Sequence, residues 1–226
     1  VAVSSVVSQN DSTVIVIAAN SSAAATGDIV LTAQSGAIVN STDAFEYLVE
    51  GSITGVSPST GQDGTRVVID GTRLLGDGSS VRSVTLAGVS ATITGESQGQ
   101  VNVTAATSSV GKTGDVVVTG STGIIVIDVD GWTYGVPGVI AGADPSQGVG
   151  GSEVLVYGSN LRGSGTRVVN VTLSGVVAEI LEETNFFVRV IAGQGVSGSA
   201  GSIVLTADSG AVVSQSSVWT YVAEGS

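Results

Sequence analysis

The sequence predicts an all-β fold made of tandem two-layer β-sandwiches. Valine, isoleucine and threonine are abundant, and 33 glycines interrupt the 226 residues at short intervals, which is typical of many short strands joined by turns. The sequence also matches itself at a shift of 87 residues, and apolar residues alternate with polar ones inside each repeat. No segment keeps a helical period over the roughly ten residues that a helix needs.

The apolar alternation predicts the individual strands. Residues spaced by two lie on the same face of a strand, so each such pair indicates a half-buried strand. The pairs in one repeat are Val67 and Ile69, Val84 and Leu86, Val101 and Val103, and Val116 and Val118. We expect about seven strands per repeat, packed as two sheets face to face.

The 87-residue repeat predicts the domain organisation, because the match needs no gap anywhere along the chain. Trp132-Thr-Tyr134 aligns forwards with Trp219-Thr-Tyr221 and backwards with Phe45-Glu-Tyr47. We therefore expect residues 1–50 to be the C-terminal half of a repeat, and residues 51–136 and 137–226 to be two full repeats. Short linkers between repeats favour an extended, quasi-linear array.

One motif carries a family resemblance. The run Pro58-x-x-Gly61-x-x-Gly64, followed by Gly71 and Leu74, recurs from Pro145 to Leu161. It resembles the opening of the IPT/TIG family of immunoglobulin-like domains, and the Trp-Thr-Tyr segments resemble the end of that domain. Many members have an aromatic residue where Leu74 and its copy stand. The resemblance implies immunoglobulin-like β-sandwiches of the kind found in surface receptors, extracellular arrays, accessory modules of secreted carbohydrate enzymes and Rel-like transcription factors.

The charge balance argues against the last of these classes, the Rel-like transcription factors. Seven basic and 19 acidic residues give a net charge of -12, which repels phosphate backbones, so we expect no nucleic-acid partner. No apolar run approaches the roughly 20 residues of a spanning helix, so we expect no direct membrane insertion in this segment. No targeting peptide is visible at Val1, and the absence of cysteine leaves the redox compartment open.

Enzymatic chemistry is not expected. The chain has no histidine and no cysteine, which excludes Ser-His-Asp and Cys-His nucleophiles and imidazole zinc sites. Glycoside hydrolysis needs two carboxylates facing each other across a cleft, and Glu179, Glu182 and Glu183 are the acidic candidates. On a convex sandwich these side chains are more simply surface residues, so we predict no catalytic site and no cofactor.

A calcium site at Asp128-Val-Asp130 is a second hypothesis. Two carboxylates spaced by two would project from one face of a strand and offer oxygen ligands. The pair is not repeated, because Ser41 and Asp43 or Gln215 and Ser217 stand at the equivalent positions. A solvated strand edge is the favoured interpretation, and we predict no metal site.

The aromatic residues have two interpretations. Trp132 and Tyr134, with Trp219 and Tyr221, could form sugar-stacking platforms, but their recurrence at one phase of every repeat favours a packing role. Phe186 and Phe187 are adjacent and must point to opposite faces of a strand. One ring is then either exposed as a contact point between chains or covered by a loop.

Five of the seven asparagines lie in Asn-x-Ser/Thr sequons, which predicts N-linked glycans and an extracellular or cell-surface location. They are Asn10, Asn20, Asn40, Asn102 and Asn170. In Val101-Asn-Val-Thr104 inward valines turn the asparagine outward, and we expect Val169-Asn-Val-Thr172 to behave likewise. The alternative is polar turn filler in a chain rich in Ser and Thr.

The half repeat suggests how the protein works. Val1 aligns with Gly88 and Gly175, so the first repeat lacks its opening strands and would expose apolar faces. Preceding chain or strands from a neighbouring subunit would cover them, the latter building a filament. Our leading hypothesis is a structural component of a glycosylated extracellular filament or surface array that self-associates.

Two alternatives remain open. A cell-surface adhesin or receptor ectodomain would bind a protein or glycan through sandwich-end loops such as Gly76 to Ser80 or Gly193 to Gly201. An accessory module of a secreted carbohydrate enzyme would require a catalytic domain elsewhere in the chain.

Overall fold

The protein is an all-β molecule. The computed structural model describes residues 3–19, 24–76, 78–108, 111–198 and 200–223, and throughout these residues the regular secondary structure is β-strand. The chain separates into two compact units, unit 1 at Val1–Glu50 and unit 2 at Gly51–Ser226. In the described residues no helix is long and apolar enough to cross a membrane.

Unit 1 consists of two antiparallel hairpins. Their strands are β1 (Val3–Gln9), β2 (Val14–Ala18), β3 (Ala25–Thr32) and β4 (Ile38–Tyr47). Asn10 closes the first hairpin, because its Oδ1 accepts hydrogen bonds from the amides of Ser12 and Thr13. Gly36 supplies the positive φ of +85° in the second turn.

Unit 2 contains two sandwiches with the same order of strands. The first comprises β5 (Ser52–Ser57), β6 (Thr60–Gly61), β7 (Arg66–Thr72), β8 (Val81–Leu86), β9 (Val89–Glu96), β10 (Gln100–Thr104), β11 (Thr113–Gly120) and β12 (Ile125–Tyr134). The second comprises β13 (Val139–Asp144), β14 (Gln147–Gly148), β15 (Glu153–Ser159), β16 (Val168–Leu173), β17 (Val176–Glu183), β18 (Phe187–Ile191), β19 (Gly201–Ala207) and β20 (Val212–Tyr221).

Each sandwich has immunoglobulin-like topology. In the first, one layer has the order β5-β7-β10-β9 and the other has the order β8-β11-β12-β6. Strand β9 joins the layers, since Val89–Ala91 pair with β8 whereas Thr92–Glu96 pair with β10. The second sandwich repeats this order from β13 to β20.

The opening segment of each sandwich also belongs to both layers. After β5 the chain crosses to the opposite layer, where β6 pairs in parallel with β12, the last strand of the sandwich. The amide of Thr133 donates to the carbonyl of Ser59 at 2.9 Å, and that of Gly135 donates to Gly61 at 2.8 Å. Each sandwich therefore has eight strands rather than the seven expected, because a two-residue strand carries too short an apolar pattern to be predicted.

The core of each sandwich comes from the alternation seen in the sequence. All eight residues of the predicted pairs between Val67 and Val118 are buried, and so are the corresponding residues of the second sandwich. Trp132 and Tyr134 join the first core with their rings edge to face at 5.6 Å. The predicted all-β sandwich fold and the packing role of these aromatics are confirmed, and the sugar-platform interpretation is wrong for them.

Candidate functional site: an inter-repeat joint, an exposed half repeat and the sequons

The two sandwiches of unit 2 meet at a joint formed by residues 62–66 of the first sandwich, the linker 135–138 and residues 208–213 of the second. Gln62 lies at its centre and only 4% of its surface is exposed. Its Nε2 donates to the carbonyl of Val212 at 2.7 Å, and its Oε1 accepts from the amide of Gly138 at 2.8 Å. One side chain thus binds both the linker and the neighbouring sandwich.

Backbone groups reinforce the joint. The amide of Arg66 donates to the carbonyl of Ser209 at 2.8 Å, and the amide of Val212 donates to the carbonyl of Asp63 at 3.1 Å. The Arg66 guanidinium also donates to the carbonyl of Asp208 at 3.1 Å. Hydrogen bonds between backbones of different sandwiches fix their separation as well as their orientation.

Two glycines allow this close approach. Gly64 and Gly210 both have positive φ, +80° and +90°, and a Cβ added to either would lie 2.8 Å from the carbonyl oxygen of the other. Any side chain at these positions would therefore push the sandwiches apart as well as strain the backbone.

A small polar cleft lies beside the joint. Its volume is about 170 Å³, and Asp63, Thr107, Ser108 and Tyr134 are among its lining residues. Burial raises the pKa of Tyr134, and the negative charge of Asp63 adds to this. The cleft is smaller than the roughly 300–1,000 Å³ of typical small-molecule sites, so we assign it no ligand.

Unit 1 exposes residues whose counterparts form the core of the complete sandwiches. Val14 and Val16 are 36% and 40% exposed, whereas Val101 and Val103, at the equivalent positions, are at most 1% exposed. The same contrast holds for Ile29 and Leu31 against Val116 and Val118, and for Phe45 against Trp132. Unit 1 therefore presents the inner face of half a sandwich.

The complete sandwiches show what covers this face. Strand β10 pairs with both β7 and β9, whereas its counterpart β2 pairs only with β1 in the described part of unit 1. Likewise β11 pairs with β8 and β12, whereas β3 pairs only with β4 there. The covering side chains come from the opening half of the repeat: Val67, Ile69, Leu74, Val84 and Leu86. A segment equivalent to residues 51–87 would complete unit 1.

The structure places the sequons on strands and turns. Asn10 and Asn40 are exposed in unit 1, and Asn102 and Asn170 are half-exposed in unit 2. Asn20 lies outside the described residues. At Asn10 the Oδ1 accepts hydrogen bonds from both the amide and the hydroxyl of Ser12, the hydroxyl residue of its own sequon. This turn brings the asparagine and the hydroxyl residue of the sequon together on an exposed part of the chain.

The expected geometry holds at one strand sequon and fails at the other. Val101 and Val103 are buried, as predicted, which turns Asn102 outward. Val169, however, is 45% exposed, so the prediction that it faces inward beside Asn170 is wrong. The cause is an irregularity in the register between β16 and β19 at Val168 and Asn170, which shifts the alternation by one residue.

Asp128 and Asp130 do not lie on a regular strand. A bulge interrupts β12 at this point, and Asp130 has a positive φ of 53°. Its amide donates to Asp115 Oδ1 at 3.0 Å, and the same contact recurs in unit 1 between Asp43 and Asp28 at 2.9 Å. Among the described residues no group of three or more Asp or Glu could hold a metal. The prediction that both carboxylates share one strand face is therefore wrong, because the bulge breaks the alternation.

The three candidate glycosidase carboxylates are not brought together across a cleft. Glu183 is half-buried and binds Arg162, with a distance of 2.9 Å between Oε2 and Nε. Glu182 points to the other face and lies 3.5 Å from Arg189. Glu179 is exposed on the same strand, which matches the surface role expected for it.

Comparison with known proteins gives no family assignment. No family model and no curated protein matches the sequence. A structure of the full extracellular region of Plexin A4 covers 77% of this chain and 16% of its own, with 18% identity and a TM-score of 0.49. SGBP-B from a complex xyloglucan utilization locus in Bacteroides uniformis covers 76% of this chain and 50% of its own, with 15% identity and a TM-score of 0.32. TM-scores this low transfer neither function nor location to this chain.

Sequence reasoning missed two features. Gln62 was overlooked, although its counterpart Val149 marks it as a polar residue at a position where the next repeat is apolar. Tyr157 was overlooked too, because its counterpart Asp70 gives no hint of an aromatic position. For both residues, the sign in the sequence was that the aligned position of the other repeat has a residue of different polarity.

Of Phe186 and Phe187, the ring of Phe186 is the exposed one, with 67% of its surface accessible, so the covered-ring interpretation is wrong for it.

Proposed function

We propose that this chain is a structural component of an extracellular, glycosylated filament or surface array built from tandem IPT/TIG-like repeats. It has no catalytic activity in this proposal, and its partners are copies of itself and N-linked glycans. The joint around Gln62 is the observation that carries the proposal. Domains in one chain normally move relative to each other unless the interface is large and apolar. Here part-buried, directional hydrogen bonds of Gln62 join the two sandwiches, which suits an array whose repeats keep a fixed orientation.

We propose assembly by strand complementation, in which a segment equivalent to residues 51–87 covers unit 1. Completion of unit 1 would bury the remaining surface of five apolar side chains that are now about 40% exposed: Val14, Val16, Ile29, Leu31 and Phe45. Full burial of such a side chain contributes about 1.5–3 kcal/mol, so 40% of five contributes about 3–6 kcal/mol. Association costs about 4–15 kcal/mol, so strand hydrogen bonds must contribute as well if the segment comes from another molecule. A segment from the same polypeptide avoids most of that cost.

Assembly is tested by comparing three proteins in electron microscopy and light scattering. The first is residues 1–226, the second is residues 51–226, and the third has a copy of residues 51–87 fused before Val1. Complementation between molecules predicts filaments or oligomers for the first protein and monomers for the other two. Monomers in all three cases at high concentration would refute self-assembly through unit 1.

Glycosylation and location form a separate part of the proposal. The hydrogen-bonded turn at Asn10 supports modification there, and the exposed position of Asn40 supports it on β4. The net charge of -12 favours a protein with neither nucleic-acid nor anionic membrane partners. Intact mass and glycopeptide analysis after secretion from eukaryotic cells should show N-glycans. Unmodified asparagine at all five sequons would contradict the assignment.

An adhesin or receptor ectodomain remains the second candidate, and one loop favours it. In the loop 193–198 the side chain of Val196 is 90% exposed, although the loop is anchored by a 3.0 Å hydrogen bond from the amide of Gly198 to the carbonyl of Tyr221. An anchored loop that presents an apolar side chain suits recognition of a protein or glycan. Binding that is saturable and abolished by Val196→Asp would favour this function over a purely structural one.

A further inference from the structure

The second sandwich of unit 2 has an aromatic surface on one layer that the first sandwich lacks. On β15 and β18 the residues Val154, Val156, Val188 and Val190 are fully buried, so the residues between them point outward. We call this surface the aromatic face, and it consists of Glu153, Leu155, Tyr157, Phe187 and Arg189, with Glu182 of the adjacent β17.

The two aromatic residues of this face lie on adjacent strands. Tyr157 lies directly opposite Phe187, and Leu155 lies opposite Arg189 in the antiparallel ladder. Directly opposite residues have their Cβ atoms about 5 Å apart, so the two side chains start from neighbouring positions on the sheet. Tyr157 is 44% exposed, which leaves a large part of its ring open to solvent.

A glycine on the edge strand lets the Tyr157 ring lie down on the sheet. A Cβ added to Gly142 of β13 would be 2.6 Å from the Oη and 2.8 Å from the Cζ of Tyr157. The hydroxyl end of the ring therefore lies over Gly142 of β13, on the side of β15 away from β18. In the first sandwich the equivalent Gly55 has nothing within 4 Å, and Asp70 stands in the place of the tyrosine.

Charged groups lie farther along the same face. Arg189 Nε donates to Glu153 Oε1 at 3.0 Å, and Arg189 Nη1 lies 3.5 Å from Glu182 Oε2. The guanidinium holds both carboxylates in place, and each carboxylate keeps oxygen lone pairs for further hydrogen bonds. One arginine and two glutamates leave a net negative charge, which disfavours an anionic ligand.

The fold itself does not require this surface. At the equivalent positions the first sandwich has Val68, Asp70, Gln100 and the sequon residue Asn102, with the same topology and the same buried valines. Two layers of identical architecture thus differ in the chemistry of one outer face. A packing role shared by the two sandwiches does not account for the difference.

We propose that the aromatic face binds a neutral saccharide. In an oligosaccharide lying along β15, one pyranose ring stacks its apolar C–H face on Tyr157, and hydroxyl groups of sugar residues farther along the strand donate hydrogen bonds to Glu153 and Glu182. Six side chains match the footprint of a short oligosaccharide, whereas a stable protein interface uses roughly 20–30 residues on each side. This site lies on a sheet face and shares no residue with the loop at Val196.

The test is a two-dimensional amide NMR titration of the chain with cellohexaose, xylohexaose, mannohexaose and maltohexaose. At least one of the four is expected to shift the amides around Tyr157 and Phe187 in a saturable way. Tyr157→Ala should weaken that binding about tenfold or more, since ring stacking is lost, and Tyr157→Phe should retain it. Asp70→Ala, at the matched position of the first sandwich, should leave it unchanged.

Tyr157→Asp separates loss of binding from poor folding, because the first sandwich folds with aspartate at the equivalent position. Loss of binding in this variant with an otherwise unchanged spectrum supports the proposal. Absence of shifts with all four probes overturns it, as do shifts confined to loop 193–198. If Tyr157→Ala instead lowers the molecular mass in sedimentation, the face is a contact between copies and the saccharide assignment is wrong.

Discussion

Replacing Gln62 by alanine is expected to uncouple the two sandwiches of unit 2 without unfolding either. The Gln62 side chain bridges the amide of Gly138 and the carbonyl of Val212, and the substitution leaves both partly buried groups without that partner. A buried hydrogen bond contributes about 0.5–1.5 kcal/mol, and a buried group left unsatisfied costs about 1–3 kcal/mol. We expect the free energy that couples the two sandwiches to fall by about 2–4 kcal/mol. This is roughly a 30- to 700-fold change in the equilibrium between sandwiches held together at the joint and sandwiches that move independently.

Two measurements check this outcome. Nitrogen-15 relaxation should give one rotational correlation time for unit 2 in the wild type and two shorter ones in the variant. Calorimetry should show the two sandwiches unfolding as separate transitions, since the cores around Trp132 and Trp219 do not include Gln62. Gln100→Ala is the matched control, because that glutamine makes an exposed 2.8 Å bond to Asp70 and should change stability by less than about 0.5 kcal/mol. A Gln62→Ala protein that tumbles and unfolds like the wild type would refute the coupling role of this side chain.

Three further predictions concern stability and modification. Trp132→Ala should destabilise the first sandwich by about 3–5 kcal/mol, measured by urea unfolding, because it empties the centre of that core while Trp219 keeps the second sandwich folded. Hydrogen bonds from Thr166 and from the amides of Arg167 and Ser209 lower the pKa of Asp208 to about 2. This contribution to stability is present above the ordinary value of 3.8 and is lost as the pH falls through 2, so Asp208→Asn should flatten the thermal stability profile between pH 4 and 2. Asn10→Gln should remove one N-glycan from the intact mass of the secreted protein, and an unchanged mass would show that this sequon is not used.

The sequence was sufficient to predict the two-layer architecture, because the alternation of apolar residues along a strand determines which side chains are buried in the core. Each inward valine between Val67 and Val118 was identifiable from its spacing, and the aromatic pair at Trp132 and Tyr134 from its recurrence. A pattern with period two decides which face of a strand meets the core.

The alternation could not reveal the features that depend on departures from it. The bulges at Asp130 and near Val169 insert or shift one residue, and nothing in a period-two pattern marks where that happens. The joint at Gln62 and the ring of Tyr157 against Gly142 depend on residues about 150 and 15 positions apart that meet only after folding. These long-range contacts carry the functional proposals, so they had to come from the structure.

The parallel pairing of β6 with β12, and of β14 with β20, determines how the protein responds to tension. When the chain is pulled from both ends, the first and last segments of each sandwich are drawn in opposite directions along their shared ladder. The bonds of Thr133 to Ser59 and of Gly135 to Gly61 are then sheared at the same moment, as are those of Thr220 to Ser146 and of Val222 to Gly148. Hydrogen bonds that are all loaded at once resist far more force than hydrogen bonds that break one after another.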